Sequence, residues 1–279
     1  MKLEARLVWL VALPAEARPI CNLFGFIRCS QPAPFPTYRS ACGRELLVVS
    51  GLGRNLAAAA TMYAHSELGG GAHVAWLNVG IAGHANHPIG SVWMVNKVIE
   101  AGTGARYYPQ SVLRHRLSSA TLTTVDRPKG AMEDDSLYDM EGSAVFHLAS
   151  RLSSSELVAL VKIVSDHGVD QSAFPTKIQV AEWMTSHGSV LRKIADGMLS
   201  LSAEEAKRLA PIELDFSCID LHFTVAQQHQ LRTIYRRWTA LGLDGSPLDT
   251  LGQFQSAASA LKGLRRTLDE QTVDWTKGE

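Results

Sequence analysis

The chain has 279 residues, enough for one α/β domain with an appendage. Apolar residues make up 46%, which supports a sizeable core and excludes disorder as the dominant state. Lys plus Arg equals Asp plus Glu at 27 each, so no global basic charge exists to hold nucleic acid or an acidic membrane surface.

Residues Leu7 to Leu13 form a continuous apolar run behind Lys2 and Arg6. The run is at the low end for a signal-peptide core, and Glu4 sits among the basic residues, so it reads as a first strand buried on both faces. No later run approaches membrane-spanning length. Cys21, Cys29, Cys42 and Cys218 form no CxxC pair, and they read as reduced thiols of a soluble cytoplasmic protein.

A helix is expected over Ala15–Phe24, then a loop marked by Pro32, Pro34 and Pro36. Tyr38–Ala41 and Glu45–Ser50 read as a hairpin around Cys42-Gly-Arg44. Gly51-Leu-Gly53 breaks the chain before an Ala-rich helix over Asn55–Leu68, which Gly69-Gly-Gly71 ends. Strands are expected at Val74–Val79, Ser91–Glu100 and Leu157–Val164, with a polar, irregular stretch up to Asp135. Helices are expected at Leu137–Leu152 and Val180–Leu199. The tail reads as two amphipathic helices, Leu221–Leu241 and Leu248–Leu268, after a joint near Pro211. The expectation is an α/β protein with a central mixed β-sheet flanked by helices over residues 1–212, and a C-terminal helical extension over 213–279. In such sheets ligands bind at the carboxyl ends of strands.

Three acids sit at or beside such ends: Glu16, Glu141 and Asp166. Each alone has a plain explanation, as a first-turn carboxylate, an exposed helix residue, and a capping or turn residue. Their setting is more specific. Val11-Ala-Leu-Pro-Ala-Glu16, Ser50-Gly-Leu-Gly-Arg-Asn-Leu-Ala-Ala-Ala59, Asn78-Val-Gly-Ile-Ala-Gly83, Asp139-Met-Glu-Gly-Ser-Ala144 and Val161-Lys-Ile-Val-Ser-Asp166 follow one another in order. This ordered set resembles the nucleoside phosphorylase/nucleosidase superfamily, and within it the 5′-methylthioadenosine/S-adenosylhomocysteine nucleosidases. Leu13-Pro-Ala-Glu-Ala-Arg18 with Val125-Asp-Arg-Pro128 also resembles hopanoid-associated phosphorylases.

The resemblance implies a cofactor-free enzyme that cleaves the N-glycosidic bond of a purine nucleoside. Asp166 would protonate the purine, Glu141 would hold the ribose hydroxyls and stabilise the oxocarbenium-like sugar, and Glu16 would polarise the attacking water. Met140 would pack on the sugar. Ser50, Gly51, Gly83, Asn78, Ser165 and Lys162 would complete the substrate-binding set. The resemblance also implies a homodimer. A phosphate-dependent phosphorylase and a non-catalytic nucleoside-binding protein are the alternatives. Asn78 stands where bacterial phosphorylases of the superfamily carry an arginine, which favours water, although Arg18 and Arg54 lie in segments able to reach an anion. Lys162 stands where the nucleosidases carry an arginine. No motif marks the aromatic that stacks on the base; Tyr107, Tyr108 and Tyr138 are candidates.

Gly51-Leu-Gly53 lacks the third glycine of a dinucleotide loop, since Leu56 occupies that place. His84-Ala-Asn-His87 reads as a loop pair without a third metal ligand. Arg232, Arg236, Arg237, Lys262, Arg265 and Arg266 make the tail locally basic, but nearby acids dilute the charge and nucleic-acid binding is not expected.

Overall fold

A computed structural model describes residues 4, 6–110, 112–128, 132, 135–168, 174–210, 212–216 and 219–271. Pro211, the expected joint, and Cys218 lie outside the described residues. The chain divides into two compact units, Met1–Leu209 and Ala210–Glu279.

The first unit is built on one ten-stranded mixed sheet. Its strands are β1 (Arg6–Val11), β2 (Ile27–Arg28), β3 (Thr37–Arg39), β4 (Glu45–Val49), β5 (Val74–Ala82), β6 (Val92–Glu100), β7 (Arg106–Tyr107), β8 (Ser119–Thr124), β9 (Ser136–Asp139) and β10 (Val158–Val164). The order is β2-β3-β4-β1-β5-β10-β6-β8-β9, with β7 on β6. Strands β4, β1, β5 and β10 run parallel, so their carboxyl ends share one edge. The sheet curls until Gly83, just past β5, bridges Tyr138 of β9.

Helices cover both faces: α1 (Pro14–Phe24), α2 (Arg54–Glu67), α3 (Gly142–Leu152), α4 (Lys177–Ser186) and α5 (Gly188–Leu209). The period-2 alternation of side chains sorts the core. Leu7, Trp9 and Val11 of β1 pack with Ile20 of α1, Met184 of α4 and Leu191 of α5. Val8 and Leu10 face the other way, with Ala57 and Ala60 of α2 and Phe146 of α3. No described helix is long and apolar enough to cross a membrane.

Several elements differ from the sequence-based expectation. The stretch before Asp135 holds β7 and β8. In Ser119–Thr124 burial alternates over the first four residues and then takes in Thr123 and Thr124, so β8 buries threonines that carry little apolar signal. Residues 137–139 are the end of β9, and the helix begins only at Gly142. All four β9 residues are buried, which a single-faced helix does not allow. The expected helix over Val180–Leu199 is two helices, parted at His187. The His187 ring donates Nε2–H to the Gly90 carbonyl at 2.7 Å, while Gly188 packs so closely that a β-carbon would sit 2.6 Å from Leu23 Cδ1. In the tail, the second expected helix is a short 3₁₀ turn, Pro247–Gln253, followed by α7 (Ala257–Asp269), because Ser256 caps a new start.

The second unit contains α6 (Val225–Ala240) and α7 around Leu231, Trp238, Leu251, Leu261 and Leu264. Thr224 caps α6 by accepting from Gln227 N–H, so the helix starts there rather than at Leu221.

Leu77 lies at the centre of the sheet with no exposure. Leu77→Ala is expected to lower the unfolding free energy by about 2–5 kcal/mol in urea titration. Ile27→Ala, at a side chain 68% exposed, is expected to change it by less than about 0.5 kcal/mol. Equal losses would contradict this placement of the core.

Candidate active site

The chain around each acid dictates where its carboxyl group points. Pro14 opens α1, where its missing N–H is no loss, and Glu16 is the third residue of the helix. Its Oε2 accepts from the N–H groups of Ala12 and Leu13 at 2.9 and 2.8 Å, and its Oε1 accepts from Ile81 N–H at 2.9 Å. The side chain is therefore fixed across the ends of β1 and β5. Burial pushes its carboxyl above the usual range, against the pull of those N–H donors.

Glu141 is the residue before α3, yet it does not cap it. Asp139 Oδ2 accepts from Gly142 N–H at 2.8 Å, and Thr124 Oγ1 accepts from Ser143 N–H at 2.9 Å. These two satisfy the first-turn donors and leave the Glu141 carboxyl free to accept from Gly53 N–H at 2.7 Å. A β-carbon at Gly142 would lie 2.5 Å from Leu122 Cδ2 and 2.8 Å from Asp139 Oδ2, so only glycine admits this approach. Burial, then the neighbouring Asp139 charge, raises the Glu141 pKa to about 7.

Asp166 follows β10. Its Oδ2 accepts from Ser165 Oγ–H at 2.6 Å and its Oδ1 from Gly168 N–H at 3.0 Å. A β-carbon at Gly83 would come within 3.0 Å of Asp166 Oδ1 and 2.1 Å of Met132 Cε.

Glu16, Glu141 and Asp166 line one cavity of about 350 Å³. Met140, Gly83 and Ser165 line it too. Its walls are otherwise mostly apolar, with Leu13, Leu52, Ile81, Tyr138, Phe174 and Val180 among them. Lys177 is the one Lys or Arg among the described lining residues.

Asn78 and Lys162 lie behind the wall. Lys162 Nζ donates to Asn78 Oδ1 and pairs with Asp139 Oδ2, both at 2.8 Å, and Asn78 Nδ2 donates to the Leu10 carbonyl. Ser50 and Gly51 are also off the cavity surface; Ser50 Oγ donates to the Gly51 carbonyl at 2.8 Å. Arg54 is held by Glu100 and Asp126, and Arg18 is exposed on α1.

No protein-family model matches the chain, and no curated protein matches its sequence. Solved structures do match. The 5′-methylthioadenosine nucleosidase of Arabidopsis thaliana superposes with a TM-score of 0.55 at 21% identity, over 71% of this chain and 96% of that one. The 5′-methylthioadenosine/S-adenosylhomocysteine nucleosidase of Helicobacter pylori gives 0.55 at 15% identity, over 71% and 99%. Futalosine hydrolase of Helicobacter pylori gives 0.54 at 14% identity, over 69% and 98%. This chain shares the fold of these nucleosidases.

In this nucleosidase fold, Tyr138 is the one of the three candidate tyrosines that lines the cavity. Tyr107 instead bonds His147 at 2.6 Å, and Tyr108 is exposed. Phe174, Pro175 and Lys177 are lining residues that the sequence reading missed. The signal available was the Thr176-x-x-Gln179 capping box, which starts α4 at Lys177, directly after Phe174 and Pro175.

His84 and His87 do acquire a third neighbour, Asp135. His84 Nδ1 accepts from the N–H groups of Asn86 and His87, so the proton of the neutral ring sits on Nε2, 3.2 Å from Asp135 Oδ1. A metal at Nε2 would require that proton to leave and both backbone donors to turn away. The cluster therefore reads as a tie between the turn after β5 and the start of β9.

Because the folded pKa of Glu141 lies above the ordinary carboxyl value, the fold favours the neutral acid. That contribution is complete below the ordinary range and is lost as pH rises through about 7. Glu141→Gln is expected to be more stable than the parent at pH 8 by about 3 kcal/mol, and equal to it near pH ~4, in denaturant titrations. The same gap at both pH values would contradict the assignment.

Proposed function

We propose that the protein hydrolyses the N-glycosidic bond of a purine nucleoside. The observation that carries this reading is the convergence of Glu16, Glu141 and Asp166, from three distant segments, on one apolar-walled cavity. Cleavage of this bond needs a proton for the departing base, negative charge near the cationic sugar, and an activated nucleophile. Asp166 donates the proton to the purine. Glu141 accepts from the ribose hydroxyls and stabilises positive charge on the ring. Glu16, locked by three backbone donors, orients and polarises water. The chemistry needs no cofactor.

Water is favoured over phosphate by the charges around the site. A phosphate dianion needs several cationic or amide donors. Arg54 is already neutralised by two carboxylates, Lys162 by Asp139, and Asn78 holds the place of the phosphorylase arginine. The substrate class we favour is an adenine nucleoside such as methylthioadenosine or S-adenosylhomocysteine, with futalosine as the comparator. A homodimer is also proposed. Leu52, which lines the cavity just before α2, and Leu56 and Met62 within α2 are exposed large apolar side chains.

Incubation with these nucleosides in phosphate-free buffer is expected to release free base at the same rate as with phosphate added. Strict dependence on phosphate would overturn hydrolysis. Asp166→Asn is expected to lower kcat by about 10²–10⁴-fold. Unchanged kcat would remove its role as the acid. In sedimentation, Leu56→Asp is expected to convert a dimer to a monomer; an unchanged sedimentation coefficient would contradict pairing through α2.

A further inference from the structure

Glu141 and its donor, Gly53 N–H, come from distant parts of the chain. Gly53 lies in the turn after β4, and Glu141 follows β9, far along the sheet order from β4. The turn is built on two glycines. Gly51 and Gly53 both adopt positive φ, at 83° and 97°, and Gly53 offers no side chain to cap α2. Ser50 and Gly51 are tied to β1 through Val11 and Ala12 carbonyls, but those bonds anchor only the near end of the turn.

The far end is anchored by Arg54, the first residue of α2. Its Nε donates to Asp126 Oδ1 at 2.9 Å, its Nη2 pairs with the same oxygen at 2.7 Å, and its Nη1 donates to Glu100 Oε1. Glu100 is the last residue of β6, in register with Thr124 of β8. Thr124 is the residue whose hydroxyl meets Asp139 and Ser143 N–H at the start of α3. The guanidinium thus joins the Gly51–Gly53 turn to the strand ends that set the position of Glu141. A planar fork can hold two carboxylates at once, which an ammonium on a flexible stem does poorly. Arg54 does not line the cavity that holds the three acids, and its charge is engaged by the two carboxylates.

We propose that Arg54 is a positioning residue, which holds Gly53 N–H on Glu141 by bridging Glu100 and Asp126. The proposal rests on the functional reading only for its consequence in catalysis; the hydrogen bond it maintains can be measured without turnover. Gly53 N–H favours the ionised carboxylate of Glu141, so its loss moves the titration of that group to higher pH.

The test uses the full chain labelled at the glutamate side-chain carboxyl carbon, with the Glu141 resonance identified by its disappearance in Glu141→Gln. The Arg54→Met titration midpoint is expected to rise by about one pH unit, with a smaller rise in Arg54→Lys. Asp126→Asn, at an exposed side chain that leaves the core intact, supplies a second variant and is expected to shift the midpoint in the same direction. Arg39→Met removes an exposed ion pair with Glu67 and is expected to leave the midpoint in place. In base release, the acidic limb of the kcat/KM profile is expected to move with the midpoint. An unmoved Glu141 midpoint in both Arg54→Met and Asp126→Asn overturns the proposal. Absence of base release by the parent protein defeats the functional reading instead, and the titration still decides the role of Arg54.

Discussion

One buried ammonium group organises the candidate site. Lys162 on β10 is almost wholly inaccessible, and it meets Asp139 at the end of β9 and Asn78 on β5, which in turn holds the Leu10 carbonyl of β1. Charges are buried only when paired and hydrogen-bonded, so these four strands must keep their relative positions for Lys162 to remain there. Asp139 passes the constraint on. Its second oxygen accepts from Thr124, and together these residues cap α3 so that Glu141 need not. Removing one partner of such a pair is more damaging than replacing both, because it strands the remaining charge.

The same cation stands under an excess of carboxylates. Glu16, Asp139 and Glu141 are all buried, with Lys162 as their shared counter-charge. Burial pushes Glu16 and Glu141 toward holding protons, and at Glu141 the neighbouring Asp139 and Glu16 charges add to it, while backbone N–H donors and Lys162 pull the other way. Groups poised in this way suit proton transfer and the stabilisation of a developing cation better than the capture of a dianion. This is the physical basis for preferring water as nucleophile on the proposed reading.

The fold was legible where the sequence carries strong local patterns. The apolar runs at Leu7–Val11 and Val158–Val164 are strands, and the Ala-rich segment after Gly53 is a helix, because burial on both sheet faces and helix propensity act locally. The three acids stand in ordered motifs, and all three line one cavity. Three features were not legible. Strand β8 is rich in Ser and Thr and carries little apolar signal. The strand-to-helix change at Asp139–Gly142 depends on a cap supplied by Thr124, many residues earlier. The lining of the cavity by Phe174 and Lys177 depends on where α4 returns to the sheet. Arg54 looked available for an anion, and only its two tertiary partners reveal that its charge is already engaged. Long-range pairing of this kind leaves no trace in spacing.

On the proposed reading the three acids act on different parts of one bound nucleoside. A crystal structure with a purine nucleoside analogue tests it most directly. A purine ring nitrogen is expected within hydrogen-bond distance of Asp166, with ribose hydroxyls on Glu141 and an ordered water between Glu16 and the anomeric carbon. A ligand bound outside this cavity, or with its sugar away from Glu141, would contradict these roles.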